Sequence, residues 1–490
     1  MSTEFVFVNS TGIGKPRGPD RIRIRSRCMK GKNTREAIHP HVYKGAKYTL
    51  SARSLPKIPD HISEEQWRHD SPAADRLARP KSFPSVQTQA IRDDPDPSKS
   101  NELHFVYPKL NSRVLSDWSL LRLADDLNTD SYELLSTFLS YNATKQTTFQ
   151  LEQCVDFDIV HDAHLPWLFQ DKAFLHSTLL AVAALQDLRM KRPPSKTTLF
   201  HLKKTLGSLN HTLGTSWGHH ADATIWIILT LAWLAAMFGD QAAAATHMTG
   251  LRRLVELRGG QEYLRQQPKQ HFKLICLDLS WSMYSGSRPH FSDESTSWQS
   301  VIVGPLWTDH QSVKALTVTD LVGVRMATIY HDLQRIVGII NDGVDRGDPI
   351  KGDLFQPWLA SVQNRLLLLE CDPDNPMSEI LRLGLLAFLS TTIQVPGGCM
   401  TYPSFASTYG RAWRAVEAPT PEHQLLLLWL LIVGAMSVLD VSEPWVKLGW
   451  TESALAGLAW EEARHRLEKV MWVNCIQDGL GRRAFAALSC

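Results

Sequence analysis

Cysteines are few in this 490-residue chain, and they are widely spaced. The seven lie at positions 28, 154, 276, 371, 399, 475 and 490, and no Cys-x-x-Cys pair occurs. An odd, scattered set does not suit a disulfide scaffold, so we expect reduced thiols in an intracellular protein. The sequence also lacks a Gly-x-x-x-x-Gly-Lys-Ser/Thr loop and a Gly-x-Gly-x-x-Gly turn. We therefore predict no nucleotide cofactor, and no cofactor of any other kind.

Apolar runs of the roughly 20 residues that a membrane-spanning helix needs are also missing. The two most apolar stretches, at 223–238 and 425–439, are each followed closely by an acidic residue, Asp240 and Asp440. Helices of this composition are buried on all sides inside large helical proteins. We predict two such buried helices, and no interaction with a membrane.

Positive charge is concentrated near the N-terminus, although the formal net charge of the whole chain is only +2. Four arginines alternate there with other residues, so in an extended segment they would all lie on one side. Three more basic residues follow. We call the seven the basic rail: Arg21, Arg23, Arg25, Arg27, Lys30, Lys32 and Arg35. Such a row suits DNA phosphates, a nuclear-targeting receptor or an acidic protein surface; the alternative is a solvated basic tail.

Residues 1–100 differ in composition from the rest of the chain. Prolines recur there among charged residues and serines, and large apolar residues are few. A segment of this kind buries too little surface to offset the entropy lost on ordering. We expect residues 1–100 to be a mostly disordered, basic N-terminal region, and residues 101–490 to form a separate domain.

From about residue 105 onward, apolar residues recur at helical spacing. The leucines at 199, 202, 206, 209 and 213 form one amphipathic stripe. Further predicted helices lie at 241–258, 271–284, 321–340, 354–370, 378–392 and 454–477. Gly259 and Gly260 fit a left-handed stop after the first of these. The predicted fold is all-α, a large multi-helix domain of antiparallel packed helices.

Four stretches of this helical region stand out together: DKAFLHSTLLAVAALQDL at 171–188, HMTGLRRLVELRGG at 247–260, LDLSWSMYSGSRPHF at 277–291 and LEKVMWVNCIQDGLG at 467–481. In this order they resemble the fungal-specific transcription factor regulatory domain, the helical partner of binuclear zinc-cluster regulators. The opening, EFVFVNSTG at 4–12 with IRSRCMKGKN at 24–33, resembles a subfamily that often has no zinc cluster. The resemblance implies a nuclear, transcription-regulator-like protein that binds other transcription regulators.

The sequence departs from the zinc-cluster pattern. Two bridged zinc ions need six closely spaced thiolates, whereas Cys28 stands alone in the N-terminal region. We therefore expect no metal site, and DNA contacts through phosphates only, which carry no base information. By analogy with the family, the regulated genes could be a biosynthetic set. The alternative is a helical protein-interaction scaffold in the cytoplasm that does not bind DNA.

Two patterns could belong to an enzyme. GTSWG at 214–218 matches the nucleophile-elbow string Gly-x-Ser-x-Gly, with Ser216 and His220 as the candidate catalytic residues. The elbow needs a preceding strand, whereas the leucine stripe predicts a helix there, so we expect a loop between helices. HDAH at 161–164 offers possible metal ligands, but nothing nearby completes a tetrahedral set. We predict that the protein is not an enzyme and has no catalytic residues.

The remaining candidates are charged and aromatic residues on predicted helices. We expect the acid pairs 125–126 and 461–462 to be surface charges, and Arg252, Arg253 and Arg258 to complement the C-terminal dipole of their helix. The sixteen tryptophans should mostly be core residues. A minority could line a cavity between helices for an apolar small-molecule effector.

Overall fold

The computed structural model describes residues 122–143, 149–157, 164–215, 222–292, 296–302, 321–394, 400–416, 423–453 and 457–489. Within these ranges the chain forms sixteen α-helices, one short 3-10 helix and two two-residue strands. The all-α prediction is therefore confirmed. The expected disorder of residues 1–100 and the boundary at residue 100 lie outside the described residues. All described residues belong to one compact unit.

The helices are, in chain order, α1 Thr129–Ala143, α2 His164–Gln170, α3 Lys172–Arg189, α4 Lys196–Leu213, α5 Asp222–Met237, α6 Gln241–Leu257, α7 Gln261–Arg265, α8 Pro268–Ser285, α9 Val324–Arg346, α10 Gly352–Leu368, α11 Pro376–Thr392, α12 Pro403–Ala415, α13 Gln424–Ser437, α14 Pro444–Thr451, α15 Trp460–Glu468 and α16 Asn474–Ser489. The 3-10 helix Gln150–Gln153 and strand β1 Val155–Asp156 lie between α1 and α2. Strand β2 Ile350–Lys351 follows α9 and pairs in parallel with β1.

Short polar residues begin several of these helices. Asp171 accepts hydrogen bonds from the backbone N–H groups of the second and third residues of α3. Ser195, Asp240 and Asn375 cap α4, α6 and α11 in the same way, each through one N–H group. These side chains satisfy backbone donors that have no partner within the helix.

Because only three residues separate α5 from α6, the two helices form an antiparallel hairpin.

Most predicted helices are confirmed. The stretches predicted at 241–258, 271–284 and 378–392 correspond to α6, α8 and α11, and those at 321–340 and 354–370 to α9 and α10. Gly259 and Gly260 have φ angles of +106° and +64°, so the left-handed stop after α6 is also confirmed.

The single helix predicted at 454–477 is wrong. Helix α15 ends at Glu468, and a non-helical segment separates it from α16. Its four consecutive residues at 470–473 are all buried. The segment therefore passes through the core between the two helices, with neighbours on all sides. Trp429 holds this segment by donating a 2.6 Å hydrogen bond from Nε1 to the carbonyl oxygen of Met471.

The two most apolar helices form the centre of the fold. Helix α5 packs against α3, α6 and α8, and α13 packs against α11, α14, α15 and α16. Both are buried along nearly their whole length, as predicted. Among the described residues, no helix has the length and apolar character needed to cross a membrane.

A buried ion pair joins α9 to α10. Arg365 Nη2 lies 2.7 Å from Asp332 Oδ2, and both side chains are almost completely buried. Asp332 also accepts hydrogen bonds from the Ser300 hydroxyl and from the Val301 N–H group. The carboxylate therefore draws residues 299–301 onto the two helices, and each charged group has several partners to compensate for its lost hydration.

Helices α11 and α13 approach closely at Gly384. A Cβ atom there would overlap Leu430 Cδ2 on α13. We expect Gly384→Ala to lower the free energy of unfolding by about 1–3 kcal/mol, because the added methyl group overpacks the contact. Gly207→Ala is the matched control: Gly207 is exposed on α4 with open space around its Cα. This change should instead raise stability by about 0.5–1 kcal/mol. Urea unfolding measures both values, and equal effects would contradict the close contact.

Candidate functional site

Several predicted functional residues lie outside the described part of the chain. They include the whole basic rail at 21–35, Ser216 and His220 of the GTSWG string, and His161. Gly214 is the C-cap of α4, so a helix precedes that string, as predicted. In the residues that the structure describes, no group of three His, Cys, Asp or Glu side chains could hold a metal ion.

The arginines of α6 have two different roles. Arg252 and Arg253 are exposed and both pair with Glu256 in the next turn of α6. Arg258 is almost buried and reaches across the hairpin to Asp222, the first residue of α5. Arg258 is also the C-cap of α6, so its charge ties together the two ends of the α5–α6 hairpin, and the complement of the three arginines to the dipole of α6 stays a prediction.

The SGSRPHF segment after α8 forms a turn that folds back onto the helix. Asp278 of α8 is buried and accepts 2.8 Å hydrogen bonds from the N–H groups of His290 and Phe291. Burial raises the pKa of Asp278 to about 6, although these two hydrogen bonds oppose the shift. Gly286, with a φ of +67°, ends α8 and starts the turn. The buried carboxylate thus explains how this part of the resemblance motif is shaped.

The main cluster of titratable side chains in the described residues lies where α1, α3 and α4 meet. We call it the histidine cluster; it comprises Asp125, Ser131, Lys172, His176, His201 and Lys204. His176 Nδ1 and His201 Nδ1 are 3.0 Å apart. His176 Nε2 lies 3.1 Å from Asp125 Oδ2, and Ser131 Oγ lies 3.2 Å from His201 Nε2. Lys172 and Lys204 contact the Asp125 carboxylate from the solvent side.

These distances define one directed chain of hydrogen bonds when both imidazoles are neutral. The Asp125 carboxylate only accepts, so His176 Nε2 carries a proton and its Nδ1 is the acceptor. The Nδ1–H group of His201 then donates a hydrogen bond to His176 Nδ1, and His201 Nε2 accepts a hydrogen bond from the Ser131 hydroxyl group. Each ring nitrogen of the two histidines therefore has a hydrogen-bond partner, which explains how both side chains are accommodated in the core.

The charges of the cluster follow from its burial. Burial lowers the pKa of His201 to about 4, and repulsion from His176 and Lys204 adds to the shift. Burial also lowers the pKa of His176, although the hydrogen bond to Asp125 opposes this. Partial burial would raise the pKa of Asp125, but hydrogen bonds from His176 and the two lysines place it well below its usual range. At neutral pH the cluster therefore consists of the Asp125 carboxylate anion, two lysine cations on its solvent side and two neutral imidazoles on its buried side.

The Ser–His–His–Asp order resembles a catalytic relay, but the hydroxyl group is not accessible. Ser131 is only 2 % exposed, and His201 is fully buried. A nucleophile must reach its substrate, so this arrangement supports packing of α1, α3 and α4 and not acyl transfer. Asp125 precedes α1, so it does not lie on a helix, and these contacts partly bury its side chain. The interpretation of Asp125 as a helix-surface charge is therefore wrong, whereas Glu461 and Glu462 do lie exposed on α15.

Sequence reasoning missed this cluster for a physical reason. The leucine stripe of α4 is buried only in its second half, at Leu206, Leu209 and Leu213. In the first half the buried residues are polar, and Leu199 is 41 % exposed. The apolar periodicity gave no sign of this change of face, because the partners of buried His201 are side chains that lie 25 and 70 residues away in sequence.

A surface cleft of about 490 Å³ lies between the start of α11 and the C-terminal half of α12. Charged residues line much of it, among them Glu379, Arg382 and Arg411. The Glu379 carboxylate forms two 2.8 Å hydrogen bonds with Arg382. No tryptophan lines this cleft. The eight tryptophans at 226, 233, 281, 429, 445, 450, 460 and 472 lie within or against the core. The apolar effector cavity therefore stays a prediction.

Comparison with known proteins identifies a segment that contains four of the six residues of the histidine cluster, Lys172, His176, His201 and Lys204. Residues 133–301 match the family model of the fungal specific transcription factor domain. The match includes α3, α6 and the turn after α8, which contain three of the four resemblance stretches, and the sequence-based resemblance is confirmed over this part of the chain. No significant match to a curated protein or to a solved structure was found.

The histidine cluster predicts a loss of stability in acid. An imidazole that titrates near pH 6.5 when unfolded and near pH 4 when folded binds its proton only on unfolding in that interval. Stability is thus fully present above about pH 6.5 and falls as the pH drops towards 4. Each such histidine contributes about 1.4 kcal/mol per pH unit to this slope. We expect His201→Asn, which can still donate to His176, to reduce the slope by about that amount.

The measurement is the free energy of unfolding in urea at several pH values between 4.5 and 7. His211→Asn is the matched control, because His211 lies exposed on the same helix. It should leave the slope as in the unmodified protein. Equal slopes for His201→Asn and the unmodified protein would show that His201 already binds its proton in the folded state.

Proposed function

Because residues 133–301 carry a fungal specific transcription factor domain, we propose that this protein regulates transcription in the nucleus. The domain supports a transcription-regulator-like role, and it is the observation on which the proposal rests. In the proposed arrangement, residues 101–490 form the helical regulatory domain and residues 1–100 carry the basic rail. The helical domain binds other transcription regulators, and the regulated genes form a biosynthetic set, by analogy with the family.

Selective binding to DNA would come from a partner. The 490 residues contain no set of six closely spaced cysteines that could hold a binuclear zinc cluster. The basic rail can supply phosphate contacts, which position a protein on DNA but do not read its sequence. We therefore propose that the chain joins a complex in which another regulator reads the bases. The rail adds affinity there or directs import into the nucleus.

The salt dependence of DNA binding tests the role of the rail. We expect the full chain to bind duplex DNA with a logarithmic affinity that falls by about 0.9 per phosphate contact for each decade of salt. Replacing Arg21, Arg23, Arg25 and Arg27 by alanine should make the slope shallower by up to about 3.6, four times that value. Fluorescence anisotropy with random-sequence DNA at 50–300 mM salt measures both slopes.

The matched control removes the same charge elsewhere, from four exposed basic residues of the helical domain. It replaces Lys203, Lys447, Lys469 and Arg483 by alanine. This variant should keep the steep slope if the contacts come from the rail. Equal slopes for the two variants would contradict phosphate contacts by the rail and leave import into the nucleus as its proposed role.

Chromatin profiling of the tagged protein, with and without residues 1–45, tests recruitment through the helical domain. Genomic sites that persist without these residues would show that partners bring the protein to DNA. Live imaging separates the two hypotheses about the whole chain. A protein that stays in the cytoplasm when nuclear export is blocked would contradict the nuclear role and favour the helical scaffold.

A further inference from the structure

Two cysteine sulfur atoms from distant parts of the chain meet in the fold. The Sγ atoms of Cys154 and Cys475 lie 2.7 Å apart, although the residues are 321 positions apart in sequence. Cys154 is 1 % exposed, whereas Cys475 is exposed. The sulfurs of a disulfide bond lie about 2.05 Å apart, so joining these two requires only a small movement. Both are free thiols in this structure.

One helix, α9, positions both cysteines. Strand β1 begins directly after Cys154 and pairs with β2, which lies just beyond the C-terminal end of α9. Near the same end of α9, Asn341 Oδ1 accepts a 3.1 Å hydrogen bond from the N–H group of Asn474, the residue before Cys475. Asn341 Nδ2 also donates to the carbonyl oxygen of Trp472 at 2.8 Å. The two sulfurs are therefore held together by packing and hydrogen bonds around α9, and not by chance contact of mobile side chains.

The two thiols differ in reactivity. Cys475 is the second residue of α16, where the N-terminal end of the helix dipole favours a thiolate. A hydrogen bond from Cys154 further lowers the pKa of Cys475. The same hydrogen bond and burial raise the pKa of Cys154 well above its usual range. Cys475 is thus the exposed nucleophile, and Cys154 is the buried thiol next to it.

We propose that Cys154 and Cys475 form a reversible disulfide bond when the protein meets hydrogen peroxide or an organic hydroperoxide. The Cys475 thiolate attacks one peroxide oxygen, the O–O bond breaks, and water or an alcohol leaves once it has taken up a proton. The sulfenic acid on Cys475 is then attacked by Cys154 sulfur. The S–S bond forms as the S–O bond breaks, and the departing hydroxide takes the proton of Cys154. Two thiols lose two electrons, and one peroxide gains them.

The bond would join distant parts of the domain. Cys154 lies inside the 133–301 segment, and Cys475 lies at the start of the last helix. Oxidation would close a loop of more than 300 residues and restrict the unfolded chain. We expect the oxidised protein to unfold at a temperature higher by about 5 °C or more. A thiol reductant of the glutathione or dithiol class would reverse the change.

Peptide mapping of the full-length protein tests the proposal. Protein reduced with dithiothreitol and desalted is treated with hydrogen peroxide at one to ten equivalents, blocked with N-ethylmaleimide and digested without reduction. The expected product is a peptide pair that contains Cys154 and Cys475 and is two hydrogens lighter than the separate peptides. Its appearance should match the loss of two blocked thiols, and dithiothreitol should restore both.

Three variants distinguish this pair from general oxidation. Cys475→Ser, an exposed change, should abolish the linked peptides and the rise in unfolding temperature. Cys154→Ser should leave a sulfenic acid at Cys475 that dimedone traps. Cys371→Ser is the matched control, because Cys371 is a half-buried thiol that contacts Ser378, and it should leave the linkage intact. Circular dichroism confirms that each variant is folded.

Two results would overturn the proposal. In the first, Cys154 and Cys475 are still labelled by N-ethylmaleimide after the peroxide treatment, whereas other cysteines have been oxidised. In the second, Cys475 is oxidised to the sulfinic acid without any linked peptide. None of these measurements involves DNA or a partner protein, so either result would leave the proposed role in transcription untouched.

Discussion

The need to bury helix α13 determines the arrangement of the C-terminal half of the domain. From Leu426 to Val433, every residue of this helix is buried, so neighbours must cover it on all sides. Helices α11, α14, α15 and α16 do so. The buried segment at 470–473 passes beside it and is held through Trp429. Close approach at Gly384 then brings α11 into direct contact, which gives dispersion contacts that a wider spacing would lose. Helix α5 has the same role in the 133–301 segment.

Apolar burial is not directional, so by itself it leaves the relative positions of these helices loosely specified. The hydrogen bonds and ion pairs of buried polar groups are directional, and they determine these positions. Asp332 has two oxygen atoms with defined partners on α10 and in residues 299–301. Asp278 specifies the turn after α8, and the histidine cluster specifies how α1, α3 and α4 meet. A displaced helix would leave one of these groups buried without a partner, which costs about 1–3 kcal/mol and more for a charge. The polar groups thus favour one packing over alternatives of similar apolar area.

Most of the described titratable groups with perturbed pKa values, among them Asp278, His201 and His271, are enclosed by packing, and the cleft beside α11 and α12 is lined by charged residues on the surface. Two proposed contacts of the protein with its surroundings are of a different kind. In these proposals the basic rail offers charge to phosphates, and Cys475, an exposed thiol, reacts with oxidants. Both would connect the domain to its surroundings without requiring a substrate pocket.

The sequence by itself determined the helical class, the two mostly buried helices α5 and α13, most helix positions and the left-handed stop at Gly259 and Gly260. These features depend on local periodicity and on backbone conformations that favour glycine, which can be read over a few turns. Tertiary structure alone decided the break at 470–473, the polar face of α4, the pairing of Asp125 with His176 and the meeting of Cys154 with Cys475. Each of these depends on a partner that is tens to hundreds of residues away, and no local pattern encodes which distant side chain will satisfy a buried group.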